Sequence, residues 1–171
     1  TVPASVQSGD TLVLFAGVAN QTPGITPPAG WTEVGNRTAT GMSSTVWTTT
    51  AGPSTAGSTV SIGFATASKS ALTLTAYRNA TATIAPAAIA SVTEGSVTSH
   101  VAPTVTAPSG AWLLSYWSDK SSWTTAWGTP GDQALRATAL GTGSGRITSV
   151  LVDSAARVPT PGIWGGEIAT T

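Results

Sequence analysis

The sequence predicts an all-β, antiparallel two-sheet β-sandwich of the jelly-roll kind, and two observations carry that prediction. Apolar residues recur with a period of two along short segments, and clusters of proline and glycine separate those segments at short intervals. The alternation places one face of a strand on a core, and the clusters favour chain reversals. Because sandwiches of about 200 residues commonly form one unit, we predict a single domain over residues 1–171.

The alternation is visible in four segments. Residues 11–18 carry apolar groups on both faces, which predicts a central strand covered on two sides. Residues 44–49, 58–64 and 72–77 each have one apolar and one mainly hydroxyl-bearing face, which predicts half-buried strands. The Ala-rich stretch 80–90 could form a short helix, but Pro86 in its middle argues against one.

Two parts of the chain, about 1–85 and 100–171, resemble each other. Residues 8–14 align with 109–114, and residues 44–51 align with 148–155 in the same order. Each part is too short to bury its apolar face securely alone. We therefore predict two similar halves that complete one sandwich, with chance similarity between Ser/Thr-rich strands as the alternative.

Charge and composition exclude several function classes. Seven Lys and Arg balance seven Asp and Glu, and charged residues make up 8% of the chain, against about 25% in ordinary domains. Because nucleic-acid binding draws on cations that replace phosphate counterions, we expect no nucleic-acid partner. The apolar runs are shorter than the roughly 20 residues of a membrane helix, so we expect no membrane span. The chain has no Cys, and so no disulfide or thiolate metal site.

Catalytic and metal-binding patterns are missing from the sequence. The one histidine, His100, lies on a predicted strand and is expected to be structural. Residues 141–145 predict a glycine-rich hairpin loop rather than a nucleophile elbow. Asp119 and Asp153 end apolar strands, where we expect solvation or a salt bridge with Lys120 or an arginine. We predict a protein that is not an enzyme and that has no catalytic residue, metal or cofactor.

The number of tryptophans points to candidate binding residues, because the chain has seven and four of them lie between residues 112 and 127. Alternation sends Trp112 and Tyr116 to one face of their strand and Trp117 to the other. Trp123 and Trp127 follow among Ser and Thr residues, which predicts a loop or an edge. Trp117, Trp123 and Trp127 are the candidate ligand-binding residues. Packing or a subunit interface is the favoured role, and stacking on a glycan is the alternative.

Three motifs follow one another along the chain: GDTLVL at residues 9–14, PPAGWTEV at 27–34 and AYR at 76–78. With the second-half segments 112–120 and 146–153, they give the chain a pattern that resembles actinobacterial and actinobacteriophage β-sandwich modules over nearly its whole length. The resemblance implies a surface or virion module, such as part of a tail, a fibre or a capsid decoration, and it implies no catalytic residue.

The expected function is therefore a structural or adhesive module of a phage virion or a bacterial surface protein. We expect the location to be a virion or a cell surface, and the partners to be further copies of the chain or other virion or surface proteins. Few charges leave sheet edges open to pairing, which favours a homo-oligomer. A carbohydrate-binding module that uses the tryptophans is the alternative. The first residues lack Met and a charged leader, so we expect a segment of a longer polypeptide.

Overall fold

A computed structural model describes residues 1–80 and 88–171, and within these ranges the secondary structure consists of β-strands without an α-helix. The all-β prediction is confirmed. The stretch 80–90, for which Pro86 argues against a helix, falls mainly outside the described residues. The strands are β1 (Thr11–Val18), β2 (Ile25–Thr26), β3 (Thr32–Ala39), β4 (Met42–Thr50), β5 (Gly63–Phe64), β6 (Ser70–Tyr77), β7 (Ser99–Val101), β8 (Val105–Ala107), β9 (Leu114–Ser121), β10 (Ala134–Leu140), β11 (Arg146–Asp153), β12 (Gly162–Trp164) and β13 (Ile168–Thr170).

The first sheet has the order β3-β4-β1-β6, and each neighbouring pair is antiparallel. Strand β1 lies in its interior, and seven of its eight residues are buried. Leu12, Leu14 and Ala16 point to one face, where Leu14 and Ala16 pack with Trp47, while Phe15 and Gly17 point to the other. The central strand predicted for residues 11–18 is therefore confirmed.

The second sheet has the order β10-β11-β9, again antiparallel throughout. Its central strand, β11, is buried at every residue from Ile147 to Asp153. In this sheet the hairpin β10-β11 pairs through its second strand with β9, which precedes it in the chain. In the first sheet the hairpin β3-β4 pairs in the same way with the preceding strand β1. The register shifts between Glu33 and Gly35 in one hairpin and between Leu135 and Ala137 in the other. These common features support two similar halves, and that assignment stays a prediction.

The two sheets lie face to face, as in a β-sandwich. The rings of Phe15 and Tyr116 stack with centroids 4.6 Å apart, and Ser44 Oγ lies 2.9 Å from Ser118 Oγ. Gly17 permits this close approach, because a Cβ at this position would lie 3.0 Å from Ile147 Cγ2. The facing sheets are consistent with the predicted sandwich.

The outer face of each sheet is covered by the remaining chain. Val60, Ile62 and Phe64 pack together on the outer face of the first sheet, so the face predicted from alternation is correct. The strand predicted over residues 58–64 is too long, because only its last two residues, which form β5, pair with another strand, β2. Residues 58–62 contribute side chains to the core without joining a sheet ladder. Ala102 and Ala169 cover the outer face of the second sheet.

Candidate functional site

The loop between β9 and β10 carries the most exposed tryptophan of the described residues. The Trp123 residue is 89% exposed, while its neighbour Thr124 is buried. The Thr124 hydroxyl donates to Asp119, and its carbonyl accepts two hydrogen bonds from Arg146, at 2.7 and 3.1 Å. The backbone N–H groups of Trp123 and Thr124 both donate to Ser121 Oγ. The loop is therefore tied down on both sides of the exposed ring.

Trp127 lies on the same loop, as predicted, but is half-buried. Its ring packs at the edge of the core on the outer face of the second sheet, 5.4 Å from the His100 ring. Trp117 is only 9% exposed and belongs to that core, together with Val150 and Val152. The three candidate tryptophans therefore do not form one platform. Trp117 is buried among Ala102, Trp127 and Ala169 of β13, so of the three tryptophans only Trp123 is exposed.

His100 has partners on both ring nitrogens. Nδ1 lies 3.0 Å from a Glu94 carboxylate oxygen, and Nε2 lies 3.4 Å from Thr171 Oγ1. The side chain is 12% exposed and adjoins Trp127. These contacts match the structural histidine that the sequence predicts.

Asp153, at the end of β11, is the hub of a buried polar network that joins the two sheets. Arg136 donates to both carboxylate oxygens, at 2.6 and 2.9 Å, which confirms a salt bridge with an arginine. Tyr77 Oη donates at 2.8 Å from the first sheet, and the Ala155 N–H donates at 2.9 Å. Burial alone would raise the pKa of Asp153, but these donors outweigh it and lower the pKa below the usual 3.8.

A second ion pair, which sequence reasoning missed, joins two of the quoted motifs. Asp10 of the GDTLVL motif accepts hydrogen bonds from Arg78 of the AYR motif, at 3.2 and 3.3 Å. It also accepts the Gln7 N–H at 2.8 Å, a side-chain-to-backbone bond of the kind that aspartate commonly makes in turns. The hydrogen bond from Arg78 lowers the pKa of Asp10. The conspicuous charged residues of both motifs therefore stabilise the fold.

A groove beside Trp31, hereafter the Trp31 groove, lies against the outer side of the first sheet. It encloses about 480 Å³ and is lined by residues 28–31, 49, 50, 55 and 58–61. None of these residues is ionisable. Sequence reasoning used PPAGW only as a turn and a motif, and it missed the groove because residues 28–31 and 58–61 meet only in the fold.

Within residues 1–80 and 88–171, no three His, Cys, Asp or Glu side chains come together as a metal site would require. No helix of those ranges has the length and apolar character needed to cross a bilayer. Comparison of the chain with protein-family models, with curated proteins and with solved structures returned no match.

Proposed function

We propose that this chain is a non-catalytic adhesive or structural module, displayed on a virion or a bacterial surface, that contacts a protein partner through Trp123. The observation that carries the proposal is the indole of Trp123, which is 89% exposed on a loop whose next residue is buried. Tryptophan is enriched among the residues that dominate binding at protein interfaces. An aromatic side chain of this size buries about 150–250 Å² when a partner covers it.

The anchoring of the loop makes Trp123 suited to binding. Binding costs free energy when it orders a flexible loop, and this cost is smaller when the loop is already held. Here Asp119, Thr124 and Arg146 hold the loop before any partner arrives.

The use of the acidic residues supports a role without catalysis. A general acid in glycoside hydrolysis needs a carboxyl with a raised pKa that faces a second carboxyl. Asp10 and Asp153 both have a lowered pKa, and each is bound by an arginine. Asp119 accepts the Thr124 hydroxyl as part of the loop anchor.

A further copy of the chain is the partner we favour, because further large apolar side chains are exposed on the β7–β13 and β8–β12 ribbons. Val101 and Ile168 are opposite each other on β7 and β13, and they are 45% and 49% exposed. Ile163 on the neighbouring ribbon of β8 and β12 is 76% exposed. Exposed apolar groups of this kind are typical of association surfaces.

The test is sedimentation velocity over a concentration series with Trp123→Ala and the control Leu135→Ala, which removes an apolar side chain that is 54% exposed. We expect the wild type to associate, Trp123→Ala to weaken association by about tenfold or more, and the control to have a smaller effect. A wild type that stays monomeric at the highest concentration would refute the homo-oligomer. Absence of binding to virions and cell walls as well would refute the adhesive role.

A carbohydrate-binding module is the second candidate, and the same exposed indole supports it, since a flat ring can stack on a sugar. The hydroxyls around Trp123 offer a sugar fewer acceptor sites, because Ser121 already accepts two N–H groups and Ser122 accepts the Gly145 N–H. A glycan array and tryptophan fluorescence, each with wild type and Trp123→Ala, test this candidate. A glycan signal that Trp123→Ala abolishes would support it, and a blank array would remove it.

A further inference from the structure

We propose that the Trp31 groove is a binding site for a neutral saccharide. This site lies against the first sheet, whereas Trp123 lies on the loop after β9, an edge strand of the second sheet. The inference therefore goes beyond the proposed function and does not depend on what Trp123 contacts. Its volume of about 480 Å³ falls inside the range of about 300–1,000 Å³ typical of small-molecule sites.

The indole of Trp31 supplies the apolar wall of the groove. Trp31 packs against both buried clusters on the outer face of the first sheet and also lines the groove. The backbone N–H of Trp31 donates to the Pro28 carbonyl at 3.2 Å, closing a turn in which Gly30 has a φ of +79°. Thr49 Oγ1 donates to the Gly30 carbonyl at 2.9 Å, which ties that turn to β4. The ring is thus held in place from the core and from the turn.

Hydroxyl groups supply the polar wall. Thr50, Thr59 and Ser61 are exposed, and they take part in none of the side-chain hydrogen bonds formed among residues 1–80 and 88–171. Alternation explains the placement of two of them, because Val60 and Ile62 point into the core and Thr59 and Ser61 therefore point away from it. Each hydroxyl can donate one hydrogen bond and accept two, as a sugar hydroxyl does.

The lack of charged side chains in the groove determines which class of saccharide it can bind. Carboxylates and phosphates are bound most strongly by Arg, Lys or His, and cations by carboxylates. No such side chain lines this groove. An indole beside unpaired hydroxyls therefore fits the apolar face and the hydroxyl rim of an uncharged sugar, and it offers nothing to a uronic acid or a sugar phosphate.

The experiment is an NMR titration of the full chain that follows the indole N–H resonance of Trp31, assigned through Trp31→Phe. The probes are neutral tetrasaccharides, namely β-1,4-glucan, α-1,4-glucan, β-1,4-linked N-acetylglucosamine and β-1,4-mannan, with oligogalacturonate as the charged comparison. The test variant is Thr59→Val/Ser61→Ala. The matched control is Thr106→Val/Ser91→Ala, two exposed hydroxyl residues outside the groove.

We expect at least one neutral probe to shift the Trp31 resonance saturably at millimolar concentration. The test variant should bind that probe about tenfold more weakly, while the matched control and Trp123→Ala bind it like the wild type. The proposal is overturned if no neutral probe shifts the resonance, if only oligogalacturonate does, or if the test variant binds as tightly as the control. Retained binding in Trp123→Ala separates this site from any site at Trp123.

Discussion

The hydrogen bond from Tyr77 to Asp153 is the most direct test of how the two sheets are joined. Tyr77→Phe removes only the hydroxyl, and it keeps a ring for the contact with Trp112, whose centroid is 5.2 Å away. Tyr116→Phe is the matched control. Tyr116 also lies between the sheets, stacked on Phe15, but its hydroxyl faces the neutral hydroxyls of Ser118 and Ser149 rather than a charged group.

The expected magnitude follows from the burial and charge of the acceptor. Asp153 is fully buried, and Tyr77 is 7% exposed. A hydrogen bond to a charged group contributes about 1.5–3 kcal/mol to the free energy of unfolding. For a chain of this length that loss lowers Tm by about 3–12 °C. Tyr116→Phe removes a hydroxyl with only neutral neighbours, so it should lower the free energy of unfolding by no more than about 1 kcal/mol, which is less than the cost of Tyr77→Phe.

The assay is urea unfolding of the wild type and both variants, followed by circular dichroism at several pH values. The Asp153 donors lower the pKa of its carboxyl from 3.8. The stabilisation is therefore complete above pH 3.8 and is lost as the pH falls through the lower folded-state pKa. The cost of Tyr77→Phe should shrink over the same range, because a protonated carboxyl is a weaker acceptor. Burial raises the pKa of Tyr77, so its hydroxyl stays a donor at neutral pH.

Two results would refute this reasoning. The first is an equal cost for Tyr77→Phe and Tyr116→Phe, which would mean that the hydrogen bond contributes nothing beyond ring packing. The second is a Tyr77→Phe cost that stays constant well below pH 3.8, which would mean that the charge of Asp153 plays no part.

Three further predictions concern packing and backbone conformation. Trp47→Ala should lower the free energy of unfolding by about 3–5 kcal/mol, because Trp47 is fully buried, whereas Trp123→Ala should change it by less than about 0.5 kcal/mol; equal costs in thermal unfolding would contradict the assigned exposures. Gly17→Ala should cost about 1–3 kcal/mol, because its Cβ would crowd the facing sheet, and a neutral effect in urea unfolding would mean that the sheets can separate freely. Gly30→Ala should lower the free energy of unfolding by about 1–2 kcal/mol, because Gly30 has a positive φ. Gly95 lacks a positive φ and has open space for a Cβ, so Gly95→Ala should cost less. Calorimetry that gives the reverse order would rule out the assigned turn.

Local residue order was enough to predict strands and turns. Alternation over residues 11–18 and 72–77 sets which side chains share a face, and proline and glycine set where the chain turns. The sequence also placed Trp123 and Trp127 on a loop or an edge, and it gave solvation, Lys120 or an arginine as alternatives for Asp153, of which the structure shows Arg136. The same reasoning made residues 58–64 one strand, because alternation reports which face is buried and does not report whether a neighbouring strand is present.

Tertiary structure alone decided which faces are covered and which distant groups meet. The sequence placed Trp117 on a strand and Trp123 on a loop or an edge and made both candidates for ligand binding, yet Trp117 packs in the core with Ala169 of β13 and Trp123 lies in solvent. Asp10 meets Arg78 only when β1 and β6 pair in the first sheet, and Tyr77 meets Asp153 only when the two sheets pack together. A period of two assigns side chains to one face or the other, but the partner that covers each face comes from remote parts of the chain, so burial and pairing cannot be derived from local order.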